Sequence, residues 1–121
     1  MSVIESTRLG ERTCVVSVPA ALDAGAARRL EDGLNVAMED GYRDFVLDFT
    51  AVRGCRDRRP TAALSRIAHR LMGRDDCAVV VAARHIDLLT FFDSVPSWSK
   101  LPLALERNEA LALLLERPVE A

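Results

Sequence analysis

The residues with the most distinctive chemistry lie between Arg53 and Arg59, where four arginines accompany a single aspartate. Guanidinium groups donate charge-assisted hydrogen bonds to phosphates and carboxylates, so this segment predicts docking of a phosphate group or an acidic partner. We expect Arg56, Arg58 and Arg59 to be the donors, with Asp57 orienting one of them. The alternative is that the arginines extend into solvent, where salt screens their repulsion within about 8–10 Å.

This arginine-rich segment, residues 53–59, joins a predicted strand to a predicted helix. Phe45, Val46 and Leu47, together with Phe49, form a short apolar run of strand length. Apolar residues then recur at helical spacing from Leu64 to Met72. Pro60 is a residue favoured at the first position of such a helix. Because the loops that follow strands carry the binding sites of α/β proteins, this connection is the first candidate for function.

The rest of the chain alternates between strand and helix periodicities in the same way. Asp23 occupies an N-cap position, and Gly41 is placed to end the first helix. The expected elements are strands at residues 3–9, 13–18, 45–49, 77–83 and 101–105, with helices beginning near residues 23, 60, 86 and 108, the last capped by Asn108. This order predicts an α/β fold with a mixed, mostly parallel β-sheet, an antiparallel edge strand and about four flanking helices. The strand at 45–49 is expected in the middle of the sheet.

Composition narrows the class of protein. The 121 residues are enough for one domain, spanning 1–121, with an ordinary hydrophobic core. Three cysteines without a CxxC pair, and no secretory leader, favour a cytoplasmic protein. No apolar run approaches the roughly 18 residues of a membrane span. The formal net charge of −2 argues against nucleic-acid binding.

The sequence shows no pattern of catalytic or metal-binding residues. It has no nucleophile–base pair, glycine-rich phosphate loop or paired-carboxylate spacing, so we predict no catalytic residue and no cofactor. His69 and His85 lack metal-ligand spacing, which predicts no metal site. Asp48 ends a strand as a phosphoacceptor aspartate would, but the acidic pair and lysine that serve such a residue are missing, and we interpret it as structural. Trp98 is either an anchor for a partner or a cover for a sheet edge.

Four motifs in this order resemble those of a STAS domain, the fold of bacterial anti-sigma factor antagonists. They are Val18 to Asp23, which keeps the leucine and aspartate of a Gly-acidic-Leu-Asp turn; Phe45 to Val52, which matches Val-Leu-Asp-Leu-Ser-Gly-Val; Leu88 to Thr90, which is similar to a Leu-Leu-x-x-Thr-Gly helix; and Asn108 to Leu111, which is similar to Glu-Glu-Ala-Leu. The resemblance implies a non-enzymatic bacterial domain that regulates transcription or stress signalling by binding a protein such as a kinase-type anti-sigma factor.

The chain departs from this family in the loop after the central strand. In members that act as switches, the loop continues Asp-Ser-Ser/Thr-Gly-Leu-Gly, and the anti-sigma factor phosphorylates a serine in it. Aligned from Asp48, the family's aspartate falls on Arg56, its two hydroxyl positions fall on Asp57 and Arg58, and its glycine falls on Arg59. The resemblance therefore implies partner binding without serine phosphorylation here. The segment's charge of about +3, against about −1 in the family, argues that its aspartate is not a permanent phosphate mimic.

Two functions remain open from the sequence. The first is an interaction domain of the anti-sigma antagonist type, and the second is an anion-binding, nucleotide-binding or scaffolding module that uses the arginine-rich segment. Candidate residues for binding a partner or an anion are Asp23, Arg53, Arg56, Arg58, Arg59 and Thr61. Thr61 is also a hydroxyl close to the segment that a kinase could modify.

Overall fold

Five β-strands and four α-helices form the part of the chain that the computed structural model describes, residues 4–53, 60–74, 76–95 and 97–115. In chain order they are β1 Glu5–Leu9, β2 Thr13–Ser17, α1 Ala24–Glu39, β3 Asp44–Asp48, α2 Thr61–Met72, β4 Ala78–Ala82, α3 Ile86–Ser94, a 3₁₀ turn at Trp98–Lys100, β5 Leu103–Ala104 and α4 Arg107–Leu115. The predicted elements are present. Their ends agree within about two residues, except that β5 is two residues long instead of five.

The strands form one sheet in the order β1-β2-β3-β4-β5. β1 is antiparallel to β2, and every other neighbouring pair is parallel, which confirms the predicted mixed sheet with β3 in the middle. The β1–β2 turn includes Gly10, whose φ of 69° lies in the left-handed region that favours glycine. Each parallel neighbour is reached through one helix, so the carboxyl ends of β2 to β5 meet at one edge of the sheet.

The two faces of the sheet are covered by different helices. Phe45 and Leu47 of β3 pack into the larger core cluster with α1, α2 and α3, whereas Val46 packs with Ala110 of α4 on the other face. This division follows from the alternation of side chains along a strand. All five residues of β4 are buried, which explains why residues 77–83 form an uninterrupted apolar run.

An aromatic cluster closes the larger core beside α3. Trp98 is 3% exposed, stacks on Phe92 with ring centroids 4.8 Å apart, and meets Phe49 edge to face. Its indole Nε1 donates a hydrogen bond of 2.6 Å to the carbonyl oxygen of Leu64 on α2. Trp98 is therefore a buried core residue that joins the 3₁₀ turn to α2.

The helix ends follow the sequence signals at α1 but not at α4. Asp23 caps α1, since its Oδ1 accepts a 2.7 Å hydrogen bond from the backbone N–H of Ala26. Gly41 follows α1 with a φ of 98°, as expected of a glycine that ends a helix. The predicted cap at Asn108 is wrong, because α4 already begins at Arg107. The described residues contain no helix that is both long and apolar enough to cross a membrane.

Candidate functional site

The carboxyl edge of the sheet, where β2, β3, β4 and β5 end, is organised around one buried charge. Asp48, the last residue of β3, is 4% exposed and is the charged residue that is buried among the described residues. Its Oδ1 accepts hydrogen bonds from the Thr50 hydroxyl at 2.6 Å and from the Thr50 backbone N–H at 2.9 Å. This carboxylate thereby fixes the first residues of the chain that leads to the arginine-rich segment.

The second oxygen of Asp48 joins three elements. Its Oδ2 accepts a 2.9 Å hydrogen bond from Nε of Arg107, the first residue of α4, and a 3.3 Å hydrogen bond from Oγ of Ser17 at the end of β2. Arg107 Nη2 also donates to Ser17 Oγ at 2.8 Å. The parallel register places Ser17 directly beside Asp48. The network therefore fastens α4 to the same edge from which the arginine-rich segment departs.

The environment of Asp48 holds its carboxyl group in the ionised form. Burial alone would raise the pKa of Asp48, but the hydrogen bonds from Thr50 and the ion pair with Arg107 outweigh burial and lower the pKa below its ordinary value. Because both oxygens are engaged by protein groups, the geometry suits a structural clamp. This agrees with the interpretation of Asp48 as a structural residue.

We expect Asp48→Asn to lower the free energy of unfolding by about 1–2 kcal/mol at pH 7, since it removes a charge from these hydrogen bonds while the Arg107 side chain is partly solvated. A carboxyl group with a lowered folded-state pKa stabilises the protein above its unfolded pKa of about 3.9. That contribution is lost as the pH falls through the folded-state value. The difference between wild type and variant should therefore shrink below about pH 4.

Urea unfolding at pH 7 and at about pH 3 measures this difference. Asp32→Asn on α1 is the control, because Asp32 is exposed and lies outside the Asp48 network. A difference between wild type and Asp48→Asn that stays constant across this pH range would contradict the role of the Asp48 charge.

Comparison with solved structures shows similarity along nearly the whole chain. An anti-sigma factor antagonist from Mycobacterium paratuberculosis is similar with a TM-score of 0.74 and 21% sequence identity, over 96% of each chain. The anti-sigma factor antagonist SpoIIAA in its unphosphorylated form has a TM-score of 0.74 at 11% identity, over 96% of this chain and 99% of that one. The chain has the STAS fold of anti-sigma factor antagonists.

A third structure with the STAS fold is RsbS of Moorella thermoacetica in a variant with a serine-to-glutamate substitution. Its TM-score is 0.72 at 16% identity, over 93% of this chain and 94% of that one. No family model and no curated protein sequence matches the chain. The chain thus resembles these proteins in its three-dimensional fold, whereas its sequence identity to them is low.

The STAS fold brings the described candidate residues to the carboxyl edge of the sheet. Asp23 follows β2 as the cap of α1, Arg53 follows β3 and is exposed, and Thr61 is the first residue of α2. The Thr61 hydroxyl oxygen is buried and has no hydrogen-bond partner among the described residues. The remaining candidates, Arg56, Asp57, Arg58 and Arg59, lie outside the described residues.

Three residues of this edge were missed by the sequence analysis. Ser17 and Arg107 bind Asp48, and Arg84 follows β4. The Arg84 guanidinium pairs with Glu106 Oε1 at 2.6 Å and donates to the carbonyl oxygen of Leu105 at 3.2 Å. A signal for Ser17 was available, because parallel neighbours that end together bring their last residues side by side. Nothing in the local pattern marks the two arginines.

No three His, Cys, Asp or Glu residues in the described ranges lie close enough to hold a metal ion.

Proposed function

We propose that residues 1–121 are one non-enzymatic interaction domain that regulates transcription or stress signalling by binding a partner protein at the carboxyl edge of its sheet. The observation that carries the proposal is the end-to-end similarity to anti-sigma factor antagonists, over 96% of both chains at a TM-score of 0.74. By analogy with these anti-sigma factor antagonists, the proposed partner is a kinase-type anti-sigma factor or another regulator with an acidic surface. The proposed place of action is the cytoplasm.

The charge of the chain supports an acidic partner. Residues 53–59 contain four arginines and one aspartate, a formal charge of +3, whereas the remaining residues carry −5 for a net charge of −2. A positive segment on a negative protein attracts an acidic surface and repels a basic one, so it favours correctly oriented encounters. Arg53, Arg56, Arg58 and Arg59 are the proposed contact residues, with Asp23 and Thr61 beside them.

We further propose that binding is not controlled by serine phosphorylation in this loop. The segment from Arg53 to Arg59 contains no serine, threonine or tyrosine. The nearest following hydroxyl, on Thr61, has its oxygen buried in the folded protein. A kinase needs an accessible hydroxyl, so the burial of this oxygen argues against a phosphorylation site that has shifted to Thr61.

We expect no ATP-dependent phosphate between Arg53 and Thr61 after incubation with a candidate anti-sigma kinase. Intact-mass analysis followed by peptide mapping is the measurement. The kinase should be active in the same reaction on an antagonist that carries the serine loop, which serves as the positive control. A phosphate on Thr61 would contradict the proposal, because it would establish a relocated switch and require α2 to open at its first turn.

The second candidate function is an anion- or nucleotide-binding, or scaffolding, module of the same fold. The four arginines in residues 53–59 favour it, since guanidinium groups bind phosphate oxygens in pairs. Titration of the purified chain with a kinase-type anti-sigma factor from the same cell, at about 50 mM and about 300 mM salt, tests the first function. Binding that weakens steeply with salt supports it. A phosphorylated ligand retained through purification, with no binding of the anti-sigma factor, supports the second function.

A further inference from the structure

A pocket of about 100 Å³ opens at the β5 end of the sheet, beside α3 and the 3₁₀ turn. Its inner wall is formed by the buried residues Val81, Phe92 and Trp98, and its mouth is formed by exposed residues that include Asp93 and Leu103, the latter 48% exposed. The pocket therefore leads from solvent to the edge of the aromatic cluster. Its apolar interior with few polar groups resembles the lining of small-molecule sites, and its volume, below the usual range of about 300–1,000 Å³, admits only a very small ligand.

The mouth of the pocket carries an unpaired negative charge. Asp93 lies on α3, is exposed, and has no hydrogen-bond or ion-pair partner among the described residues. A carboxylate attracts a cation by direct charge attraction, which is modest at a solvent-exposed position. The charge complementarity thus favours a ligand that is positive at one end and apolar at the other.

We propose that this pocket binds a small aliphatic amine. The alkyl group enters between Leu103, Phe92 and Trp98, and the ammonium group remains at the mouth against the Asp93 carboxylate. The volume limits the alkyl group, because an apolar cavity of about 150 Å³ holds benzene and this pocket is smaller. A branched chain of about four or five carbons, as in 3-methylbutylamine, fits this limit.

The wall of the pocket is formed before any ligand binds. Trp98 is held by its 2.6 Å hydrogen bond to the carbonyl oxygen of Leu64 and by stacking on Phe92. The turn that carries Trp98 starts from Ser97, whose φ of 74° is unusual for a residue other than glycine. A residue persists in this conformation when surrounding contacts hold it there. A preformed wall reduces the ordering that binding would otherwise require.

Trp98 is the single tryptophan of the chain, so its fluorescence reports directly on the pocket. Titration with 3-methylbutylamine is expected to give a saturable change with a Kd in the range of about 1–10 mM. The uncharged analogue 3-methylbutanol is expected to bind about 2- to 5-fold more weakly, because it lacks the charge attraction to Asp93. Chemical shifts of the Trp98 indole N–H, followed in the same titration, distinguish binding from collisional quenching.

Two aspartates on α3 provide a matched pair of variants. Asp93→Asn should remove the preference for the amine over the alcohol, whereas Asp87→Asn, an equal change in charge on an exposed residue that does not line the pocket, should preserve it. Leu103→Phe should weaken both ligands by filling the mouth. The proposal is overturned if Trp98 shows no saturable response up to about 50 mM amine, or if Asp93→Asn retains the full preference. Neither result bears on partner binding at the carboxyl edge.

Discussion

Replacing Arg58 and Arg59 by glutamate is expected to weaken partner binding by at least about 100-fold, since like charges brought together at an interface cost several kcal/mol. The double substitution changes the charge of residues 53–59 from about +3 to about −1, and the attraction to an acidic partner becomes repulsion. Calorimetric titration of the partner at low salt measures the loss. Wild-type binding should also weaken steeply with added salt, as expected of screened charge attraction.

The control for this experiment is a pair of arginines at the opposite edge of the sheet. Arg12 precedes β2 and Arg74 follows α2, and both take part in exposed ion pairs, which contribute little to stability. Their replacement by glutamate lowers the net charge by the same amount, so general repulsion is equal in the two variants. The control should bind the partner nearly as wild type does. Thermal unfolding should show that both variants remain folded.

Undiminished binding by Arg58→Glu with Arg59→Glu would exclude the arginine-rich segment from the interface. The fold-level proposal would survive that result, because a STAS domain can meet a partner through another surface. Equal loss in both double variants would instead assign the effect to net charge. The comparison therefore separates a local contact from a property of the whole molecule.

The fold was predictable because each element carries a local pattern. Side chains alternate along a half-buried strand and recur every three or four positions along a helix, and the uninterrupted apolar run at 77–83 indicates a strand buried on both faces. The errors lie where tertiary contacts decide the outcome. β5 is an edge strand that has β4 as its single neighbour, and it pairs over only two residues. Arg107, the first residue of α4, contacts Asp48, which lies far away in the sequence.

The site was less predictable than the fold, for a physical reason. Ser17 and Arg107 lie 31 and 59 positions from Asp48, and only the strand order brings these three residues together. Trp98 stands among polar residues, which obscures its burial until α2 and α3 are placed around it. Charge, in contrast, is visible without coordinates, so the arginine-rich segment was found from the order of residues alone.

Leu64→Ala is expected to lower the free energy of unfolding by about 2–5 kcal/mol, a large fraction of the stability of an ordinary domain. Leu64 is 0% exposed and belongs to the larger core cluster, on the face of α2 that meets the sheet. The substitution removes apolar contacts and leaves a cavity that a close-packed interior fills only in part. The backbone carbonyl that accepts the Trp98 hydrogen bond is retained, so the loss reports on side-chain packing.

Urea unfolding followed by Trp98 fluorescence and by circular dichroism measures this loss, and agreement between the two probes tests two-state behaviour. Leu105→Ala makes the same chemical change at a side chain that is 54% exposed, and it should alter stability by less than about 0.5 kcal/mol. A loss below about 1 kcal/mol for Leu64→Ala would mean that α2 does not pack against the sheet as described. The arginine-rich segment directly precedes α2 in the chain. The proposed interaction surface would then lack the packed helix that supports it.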